Sequence, residues 1–320
     1  MSSPAVQLDA RERWLAARRE LLTASDCAAV LGVDPRRGPL AVYASKVGQI
    51  EQEQTAWMKW GRRVEGAIAD WYAEETGRPV VDLGAHEIQR HPDVTWLGCT
   101  LDRVTAGSAA HPDPAGNYSS HVNGLGPRTG PLDAKAVAGF KAAEWREDPP
   151  LHYVVQVQVQ MACTGAQWGG LVALIGGIAL AWRDVQRDDA FLAAALPKLE
   201  EFWLRVQRRD PPEADALPGT SEAIRRLWAH ADGETIPLDD EALSIVTQWD
   251  AAKVVRDSAE ETKEEAENRL RARLGFASYG RLPDGSVLTL KETNRGGYTV
   301  QPTSFRVLRR WWPKLQLRLK

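Results

Sequence analysis

Residues 131–137 read PLDAKAV, a short apolar stretch in which an acid and a base stand two positions apart. It follows a long segment rich in Gly, Pro, Ser and Asn, and this order predicts a surface loop and then a short β-strand. Side chains alternate across a strand, so Asp133 and Lys135 are expected on one face. Two interpretations are open. D-x-K is a common tripeptide that forms a solvated ion pair, and it is also a pair suited to a cation site.

Two more acids favour the cation site. The strand-like stretch VTWLGCTLDRVTA carries Asp102, and the strongly helical stretch WMKWGRRVEGAIADWYAEET carries Glu65. Mg²⁺ prefers oxygen ligands and is held by one or two carboxylates together with a substrate phosphate. Such a metal lowers the pKa of a bound water and neutralises charge on the phosphate. In this interpretation Glu65, Asp102 and Asp133 surround the cation, and Lys135 positions or deprotonates the water.

The segment YVVQVQVQMACT, residues 153–164, fits two patterns. Its Val-Gln alternation has the period of a strand. Val154, Val157 and Met161 nevertheless fit one face of a helix, and Gln156 and Gln160 have the i, i+4 spacing of a helix. Periodicity alone leaves both possibilities open.

Taken in order, the motifs of the first 212 residues resemble the PD-(D/E)XK nuclease superfamily. More specifically they resemble the YqaJ-type viral recombinases, relatives of phage lambda exonuclease. The matching stretches are LLTASDCAAVLG, WGRRVEGAIADWYAEETG, GCTLDRV, LDAKAV and HYVVQVQVQMACTG. The resemblance implies an α/β fold with a restriction-endonuclease-like core, in which helices flank a mixed central sheet and residues 153–164 are helical.

The resemblance also implies roles for single residues and a cofactor, Mg²⁺, for which Mn²⁺ can substitute. The second acid of this chain is Asp133 where relatives usually have Glu, so its carboxylate is one methylene shorter. The implied metal ligands are Glu65, Asp102, Asp133 and Ala134, and the implied catalytic residues are Glu65, Asp102, Asp133, Lys135 and Gln158.

A second set of residues resembles the pocket in which lambda-type enzymes bind a terminal 5′-phosphate. It comprises Arg18, Ser25 and Thr100. A guanidinium binds phosphate in a bidentate manner, and hydroxyl groups add further donors. Plainer interpretations stand beside this one, because Ser25 with Asp26 also fits a helix N-cap and Arg18 also fits a solvated helix face.

The composition excludes several classes of protein. The 320 residues are 43% hydrophobic and 26% charged, which is ordinary for a folded soluble chain. Three widely spaced cysteines form no C-x-x-C pair, which argues against a zinc ribbon and an iron–sulfur cluster. The longest apolar run, LVALIGGIALAW, is too short to span a bilayer and predicts a buried hairpin about Gly176-Gly177. With a net charge of −3, any contact with nucleic acid needs a local basic patch.

We predict a boundary between residues 212 and 213. Residues 1–212 would form the nuclease-like domain, and residues 213–320 an extension with a long charged helix over 239–274 and a β-hairpin after it. The basic tail, residues 306–320, fits either contact with DNA phosphates or packing on its own domain.

The functional expectation is a Mg²⁺-dependent deoxyribonuclease of a bacterial host cytoplasm. The resemblance implies a 5′-to-3′ exonuclease that resects linear double-stranded DNA ends for a RecT/Beta-type single-strand annealing protein in phage or prophage recombination, working as a homo-oligomeric ring. Two alternatives are a related endonuclease or repair nuclease without end dependence, and an inactive nuclease fold that binds DNA.

Overall fold

A computed structural model describes residues 10–48, 55–84, 87–107, 129–231, 233–293 and 308. The chain divides into two compact units, Met1–Ala229 and His230–Lys320. No helix in the described part of the chain is long and apolar enough to cross a membrane. The predicted loop before Thr129 and the basic tail lie outside the described residues, apart from residues 107 and 308.

The first unit has seven α-helices and eight strands among its described residues. The helices are α1 (Ala10–Arg19), α2 (Ala24–Val30), α3 (Pro39–Lys46), α4 (Ala56–Thr76), α5 (Leu151–Thr164), α6 (Asp189–Arg208) and α7 (Pro218–Leu227). The strands are β1 (Leu22–Thr23), β2 (Val80–Val81), β3 (Ile88–Arg90), β4 (Leu97–Thr100), β5 (Arg103–Ala106), β6 (Thr129–Val137), β7 (Trp168–Ile175) and β8 (Ala179–Gln186). A 3₁₀ helix, Gly139–Trp145, follows β6.

The larger sheet has five strands in the order β2-β5-β6-β7-β8. Only β6 and β7 pair in parallel, because α5 connects them across one face, and the other neighbours are antiparallel. A smaller sheet has the order β1-β4-β3, in which β1 is parallel to β4. The predicted α/β class, with a mixed sheet flanked by helices, is therefore confirmed.

Two helices cover opposite faces of the larger sheet. Ile68 and Tyr72 of α4 pack against Leu132 and Val172. On the other face, Val157 and Met161 of α5 pack against Leu171 and Val185 of β7 and β8. The sheet is thus enclosed where β6 and β7 pair, and a polar side chain on either face there is held away from water.

A second core lies on the far side of α5. Side chains from α2, α3, α6 and β4 pack there with α5, among them Leu40, Cys99, Val159, Leu199 and Phe202. The ambiguous segment 153–164 is accordingly a helix, since it contacts a sheet on one side and helices on the other. This position explains its nearly continuous burial.

The β7–β8 hairpin confirms the interpretation of its two glycines. Gly176 and Gly177 have φ values of +62° and +79°, which other residues adopt at a cost. The hairpin places β8 at the edge of the larger sheet.

The compact unit extends beyond the predicted boundary. Helix α7 packs against α3, where the Gly219 amide donates to Arg36 O at 2.8 Å and Thr220 and Ala223 are buried. The first unit consequently includes α7, which we assigned to the extension.

The second unit contains the predicted long helix, α8 (Asp240–Leu274), and a hairpin of β9 (Tyr279–Arg281) and β10 (Val287–Thr289). Asp239 caps α8 by accepting a hydrogen bond from Ala242 N at 2.9 Å. No side chain of α8 in the described residues is buried, so this helix is solvated along its length within the unit.

Candidate active site

The D-x-K stretch lies on β6, on the face that α5 covers. Asp133 is opposite Leu171 in the pairing with β7, and Lys135 is opposite Ala173. Both side chains share one face, as predicted, and Lys135 Nζ lies 2.5 Å from Asp133 Oδ2. The Asp133 side chain is fully buried, while that of Lys135 is 18% exposed. The plain interpretation of a solvated ion pair therefore does not hold, because this acid has no contact with water.

Asp102 stands between β4 and β5, at the point where the chain passes from the smaller sheet to the larger one. Its Oδ2 accepts a hydrogen bond from Ala134 N at 3.0 Å. Asp102 is thereby tied to the backbone between Asp133 and Lys135. Two acids and a lysine from separate parts of the sequence meet at one place.

Glu65 extends from α4 toward the same place. Its Oε1 pairs with Arg103 Nη1 at 3.0 Å, and the same guanidinium donates to Asp102 O. Arg103 also pairs with Asp82 at 3.3 Å. Sequence reasoning did not single out Arg103, although it directly follows Asp102, and it connects the helical acid to the strand acid.

The structure places Gln158 away from the acids. Its amide donates to Gln186 O at 2.7 Å and accepts from Asp188 N at 2.9 Å, so it links β8 to the start of α6. The expected catalytic role for Gln158 therefore has no geometric support.

Two other glutamines of α5 reach the acid instead. Gln156 Nε2 donates to Asp133 Oδ1 at 2.6 Å, and Gln160 Nε2 donates to the same oxygen at 3.2 Å. They are four residues apart, which puts them on one helical face, whereas Gln158 points elsewhere. The i, i+4 spacing in the sequence puts these two glutamines on one face, but it does not show that this face meets Asp133.

Burial and mutual repulsion raise the pKa values of Asp102 and Glu65. The pKa of Asp102 rises to about 7 because it is desolvated and lies near Asp133 and Glu65, despite the opposing effect of Lys135. Burial likewise raises the pKa of Glu65, although Arg103 and Lys135 oppose the shift. Burial lowers the pKa of Lys135, but Asp133 and Asp102 outweigh that effect and raise it overall. At Asp102 and Glu65, the positive charges of Lys135 and Arg103 do not fully offset the effects of burial and of the neighbouring acids.

The donor chemistry of this cluster fits a hard divalent cation. Among the described residues, no three His, Cys, Asp or Glu side chains converge closely enough to form a preassembled metal site. Two buried oxygens, Asp133 Oδ2 and Gln160 Oε1, nevertheless receive no hydrogen bond of proper geometry. Carboxylate oxygens, among them those of Asp102 with its raised pKa, are the donors that Mg²⁺ or Mn²⁺ prefers. Asp102 and Asp133 fit as ligands, whereas Glu65 is engaged by Arg103 and Ala134 shows only its N–H contact.

The three residues of the predicted phosphate pocket lie around Trp14. Arg18 Nη2 donates to Ser25 Oγ at 3.2 Å, and its guanidinium lies over the Trp14 ring at 4.7 Å. Trp14 Nε1 in turn donates to Thr100 Oγ1 at 3.2 Å. Arg18 is not on a solvated helix face, since desolvation lowers its pKa and the charge of Asp102 acts on it.

The start of α2 supports this pocket. The N-cap is Thr23, one position before the first helical residue. It lies two residues before Ser25, the cap that the sequence indicated. Thr23 Oγ1 lies 3.1 Å from Ser25 Oγ and donates to Asp26 Oδ2 at 2.6 Å. Buried Asp26 also pairs with Lys46 at 2.7 Å and Arg37 at 3.0 Å. Sequence reasoning missed Trp14, Thr23 and this role of Asp26.

Comparison with known proteins gives concordant similarities. The chain is 24% identical over 277 residues to the uncharacterized protein YqaJ of Bacillus subtilis (strain 168), over 84% of this chain and 80% of that protein. The crystal structure of an alkaline exonuclease, LHK-Exo, from Laribacter hongkongensis is 23% identical, with a TM-score of 0.47 over 62% of this chain and 94% of that one. LHK-Exo in complex with dAMP is 22% identical, with a TM-score of 0.48 over 68% of this chain and 98% of that one.

The family model matches the part of the chain that carries the site. The model of the YqaJ-like viral recombinase domain covers residues 13–167, which include Arg18, Glu65, Asp102, Asp133 and Lys135. The structure contains the helical Glu, the Asp between two strands and the D-x-K strand in the order that the sequence indicated. Residues 13–167 of the chain are therefore similar to the YqaJ-like viral recombinase domain.

Proposed function

We propose that this protein is a metal-dependent deoxyribonuclease that degrades linear double-stranded DNA from a 5′ end. The observation that carries the proposal is the convergence of Asp102, Asp133 and Lys135, held by the Ala134 amide and by Gln156. The family's description as a viral recombinase supports a place in recombination.

Asp102 and Asp133 would hold the divalent cation, which when bound activates a water and neutralises charge on the scissile phosphate. Gln156 and Gln160 fix the rotamer of Asp133 through two hydrogen bonds to Oδ1 and leave Oδ2 toward the site. Lys135 keeps a positive charge beside that oxygen and can orient a phosphate oxygen or the attacking water. Arg103 holds Glu65 near the other acids.

End dependence would come from Arg18, Ser25 and Thr100. The guanidinium and two hydroxyl groups offer donors to a terminal 5′-phosphate, and the charge of Asp102 acts on Arg18. A terminal phosphate held there would lie close to the acids. This proximity favours an exonuclease over an endonuclease, which needs no contact with an end.

The biological setting follows the same resemblance. We propose that the protein acts in the cytoplasm of a bacterial host, prepares single strands for a RecT/Beta-type annealing protein, and works as a homo-oligomeric ring around DNA. Co-purification with a co-expressed annealing protein and the mass of the particle in solution test these two points.

The test is digestion of linear duplex DNA labelled at either end, with 5′-phosphate or 5′-hydroxyl termini, in Mg²⁺ and in Mn²⁺. We expect mononucleotides to be released from the 5′ end and closed circular DNA to stay intact. Asp102→Ala is the matched inactive control. Cleavage of the circle would favour the endonuclease alternative, and absence of turnover with either metal would favour an inactive DNA-binding fold.

The phosphate pocket has its own prediction. Arg18→Ala should slow digestion of 5′-phosphorylated duplex by roughly ten- to a hundred-fold, because a charge-assisted contact contributes about 1.5–3 kcal/mol. Arg19→Ala, at the neighbouring exposed position, is the control. The informative quantity is the ratio of rates on 5′-phosphate and 5′-hydroxyl ends. An unchanged ratio in Arg18→Ala would remove these residues from end recognition.

A further inference from the structure

A cavity of about 290 Å³ adjoins the acid cluster, the group formed by Glu65, Asp102, Asp133 and Lys135. It lies where the end of β6, the 3₁₀ helix and the starts of α4 and α5 come together. Ala136 and Val137 of its wall directly follow Lys135 on β6. Tyr153 is another wall residue, and Lys135 Nζ lies over its ring, 5.3 Å from the ring centroid. The cavity therefore adjoins the site, and the contact between Tyr153 and Lys135 connects the two.

Aromatic rings dominate the wall. Trp57 and Phe140 are 48% and 86% exposed, whereas Trp145 is 4% exposed and packs against Tyr153 with ring centroids 5.8 Å apart and ring planes tilted by 34°. Exposed aromatic side chains have no packing reason to be large and apolar. On the rim of a cavity beside a proposed DNA-cleaving site, they can serve as stacking surfaces for bases.

The wall also offers charge and hydrogen bonds. Arg36 and Lys141 contribute positive charge, and Lys141 pairs with the one acid of the wall, Glu144, at 2.8 Å. His152 Nε2 is buried without a hydrogen-bond partner. Helix α5 begins at Leu151, so the positive end of its dipole faces this region. The cavity thus combines ring faces, positive charge and one unsatisfied nitrogen.

We propose that this cavity, the aromatic cavity, binds one unpaired nucleotide of the DNA strand that enters the acid cluster, with its base stacked on Trp57 and Phe140 and its phosphate facing Arg36 and Lys141. The inference rests on the proposed function and adds to it a position for a separated base. The volume suits one nucleotide, since it lies at the lower limit of ordinary ligand pockets.

His152 would bind the polar edge of that nucleotide. Burial lowers the pKa of His152, and Arg36 and Lys135 lower it further against the opposing charges of Asp34 and Glu144. The imidazole is then neutral near pH 7 and can accept or donate a single hydrogen bond. Nε2 is buried and has no partner within the described part of the chain, so a bound base would satisfy it once the ring turns toward the cavity.

The test measures binding apart from cleavage. Fluorescence anisotropy of a labelled single-stranded oligonucleotide, in EDTA, gives the affinity of the intact protein without hydrolysis. Phe140→Ala should weaken binding by roughly ten-fold, the effect of losing one base–aromatic stack. Phe276→Ala is the matched control, because Phe276 is likewise an exposed phenylalanine but does not line the cavity. An unchanged unfolding temperature of Phe140→Ala confirms that its fold is retained.

A second arm tests whether the base is what Phe140 contacts. An oligonucleotide with abasic sites should bind the wild-type protein about ten-fold more weakly, and Phe140→Ala should show no further loss with it. If Phe140→Ala weakens binding of the abasic oligonucleotide as much as it weakens binding of the normal one, the two losses are additive and the proposal is overturned. Wild-type affinity in Phe140→Ala, or no binding of single strands by the wild-type protein, would also overturn it. If wild-type protein digests duplex while Phe140→Ala binds normally, only this inference fails. If binding follows our expectation while no DNA is cleaved, only the proposed activity fails.

Discussion

At the scale of the residue, three glutamines of α5 have different tasks. Gln156→Ala removes the 2.6 Å hydrogen bond to buried Asp133, and we expect DNA cleavage to fall at least ten-fold, since bonds to charged groups contribute about 1.5–3 kcal/mol. Gln158→Ala instead leaves the Asp188 amide and Gln186 carbonyl unsatisfied. It should lower the free energy of unfolding by roughly 1–3 kcal/mol and change the turnover rate little.

Urea unfolding and cleavage rates measured on both variants separate the two effects. A Gln158→Ala protein that is fully folded but inactive would return the catalytic role to Gln158. In that case the contacts of Gln156 would be structural.

The shorter acid at position 133 gives a second prediction. Asp133 is completely buried, and both its oxygens already have neighbours, Gln156 and Gln160 at Oδ1 and Lys135 at Oδ2. Asp133→Glu therefore adds a methylene to a filled space, which costs about 1–3 kcal/mol, and should lower cleavage rather than restore it. Thermal unfolding and cleavage in Mg²⁺ and Mn²⁺ check this, with Asp133→Asn as the control of equal size. Activity above wild type in Asp133→Glu would show that the pocket has room for the longer acid.

The sequence was sufficient to predict that Asp133 and Lys135 share one face of a strand, because strand alternation is a local property, whereas Asp102 lies between two strands and not within one as predicted. The sequence was insufficient to predict which glutamines of α5 contact Asp133. The three candidates alternate, and only the packing of α5 against both the sheet and α2 decides which face meets β6. Arg103 and Trp14 were missed for a related reason, since their partners Glu65 and Thr100 are distant in sequence.

At the scale of the element, the long helices were predictable and the short strands were not. Strong periodicity and end signals mark α4, which ends at Gly77 with φ of +62°, and α6, which begins after the Asp188 cap. The stretch 94–106 instead divides into β4 and β5, which belong to different sheets. Asp102 lies at that division, so the irregular backbone that obscures the strand pattern is also what presents the acid.

The first turn of α2 depends on one buried charge. Burial raises the pKa of Asp26, but Lys46, Arg37 and Arg18 outweigh it and lower the pKa well below its ordinary value. A carboxylate with a lowered folded-state pKa stabilises the fold above its unfolded pKa of about 3.9 and loses that contribution as the pH falls below it. We expect Asp26→Asn to be less stable than wild type by roughly 3–5 kcal/mol at pH 7, because three cations lose their counter-charge.

The same variant has a distinctive pH dependence. The stability difference between wild type and Asp26→Asn should shrink as the pH falls from about 4 toward 2, and urea unfolding at several pH values measures it. Asp34→Asn, at a neighbouring acid for which only turn contacts to Arg36 and Arg37 amides are seen, is the control. A difference that stays constant from pH 7 to pH 3 would show that Asp26 does not act through its charge.

At the scale of the whole molecule, the two compact units differ in what they contain. All residues of the acid cluster, the phosphate pocket and the aromatic cavity lie in the first unit, Met1–Ala229. The second unit presents the solvated helix α8 and a small hairpin. The charge of the chain is near balance, with 40 basic and 43 acidic residues, so any attraction to DNA arises from local placement of cations such as Arg18 and Arg36.

The boundary between the units gives the last prediction, because the sequence and the packing place it differently. A chain ending at residue 229 keeps α7, whereas one ending at residue 212 loses the Gly219–Arg36 hydrogen bond and uncovers the core beside Ile224. Each large apolar side chain that loses its burial costs about 1.5–3 kcal/mol, and each kcal/mol lowers the unfolding temperature of a unit of this size by about 2–4 °C. We expect the fragment 1–229 to fold and to retain cleavage of linear duplex, and the fragment 1–212 to unfold several degrees lower. Equal unfolding temperatures would mean that α7 adds nothing to the first unit, and the predicted boundary at 212/213 would then describe the independently stable domain.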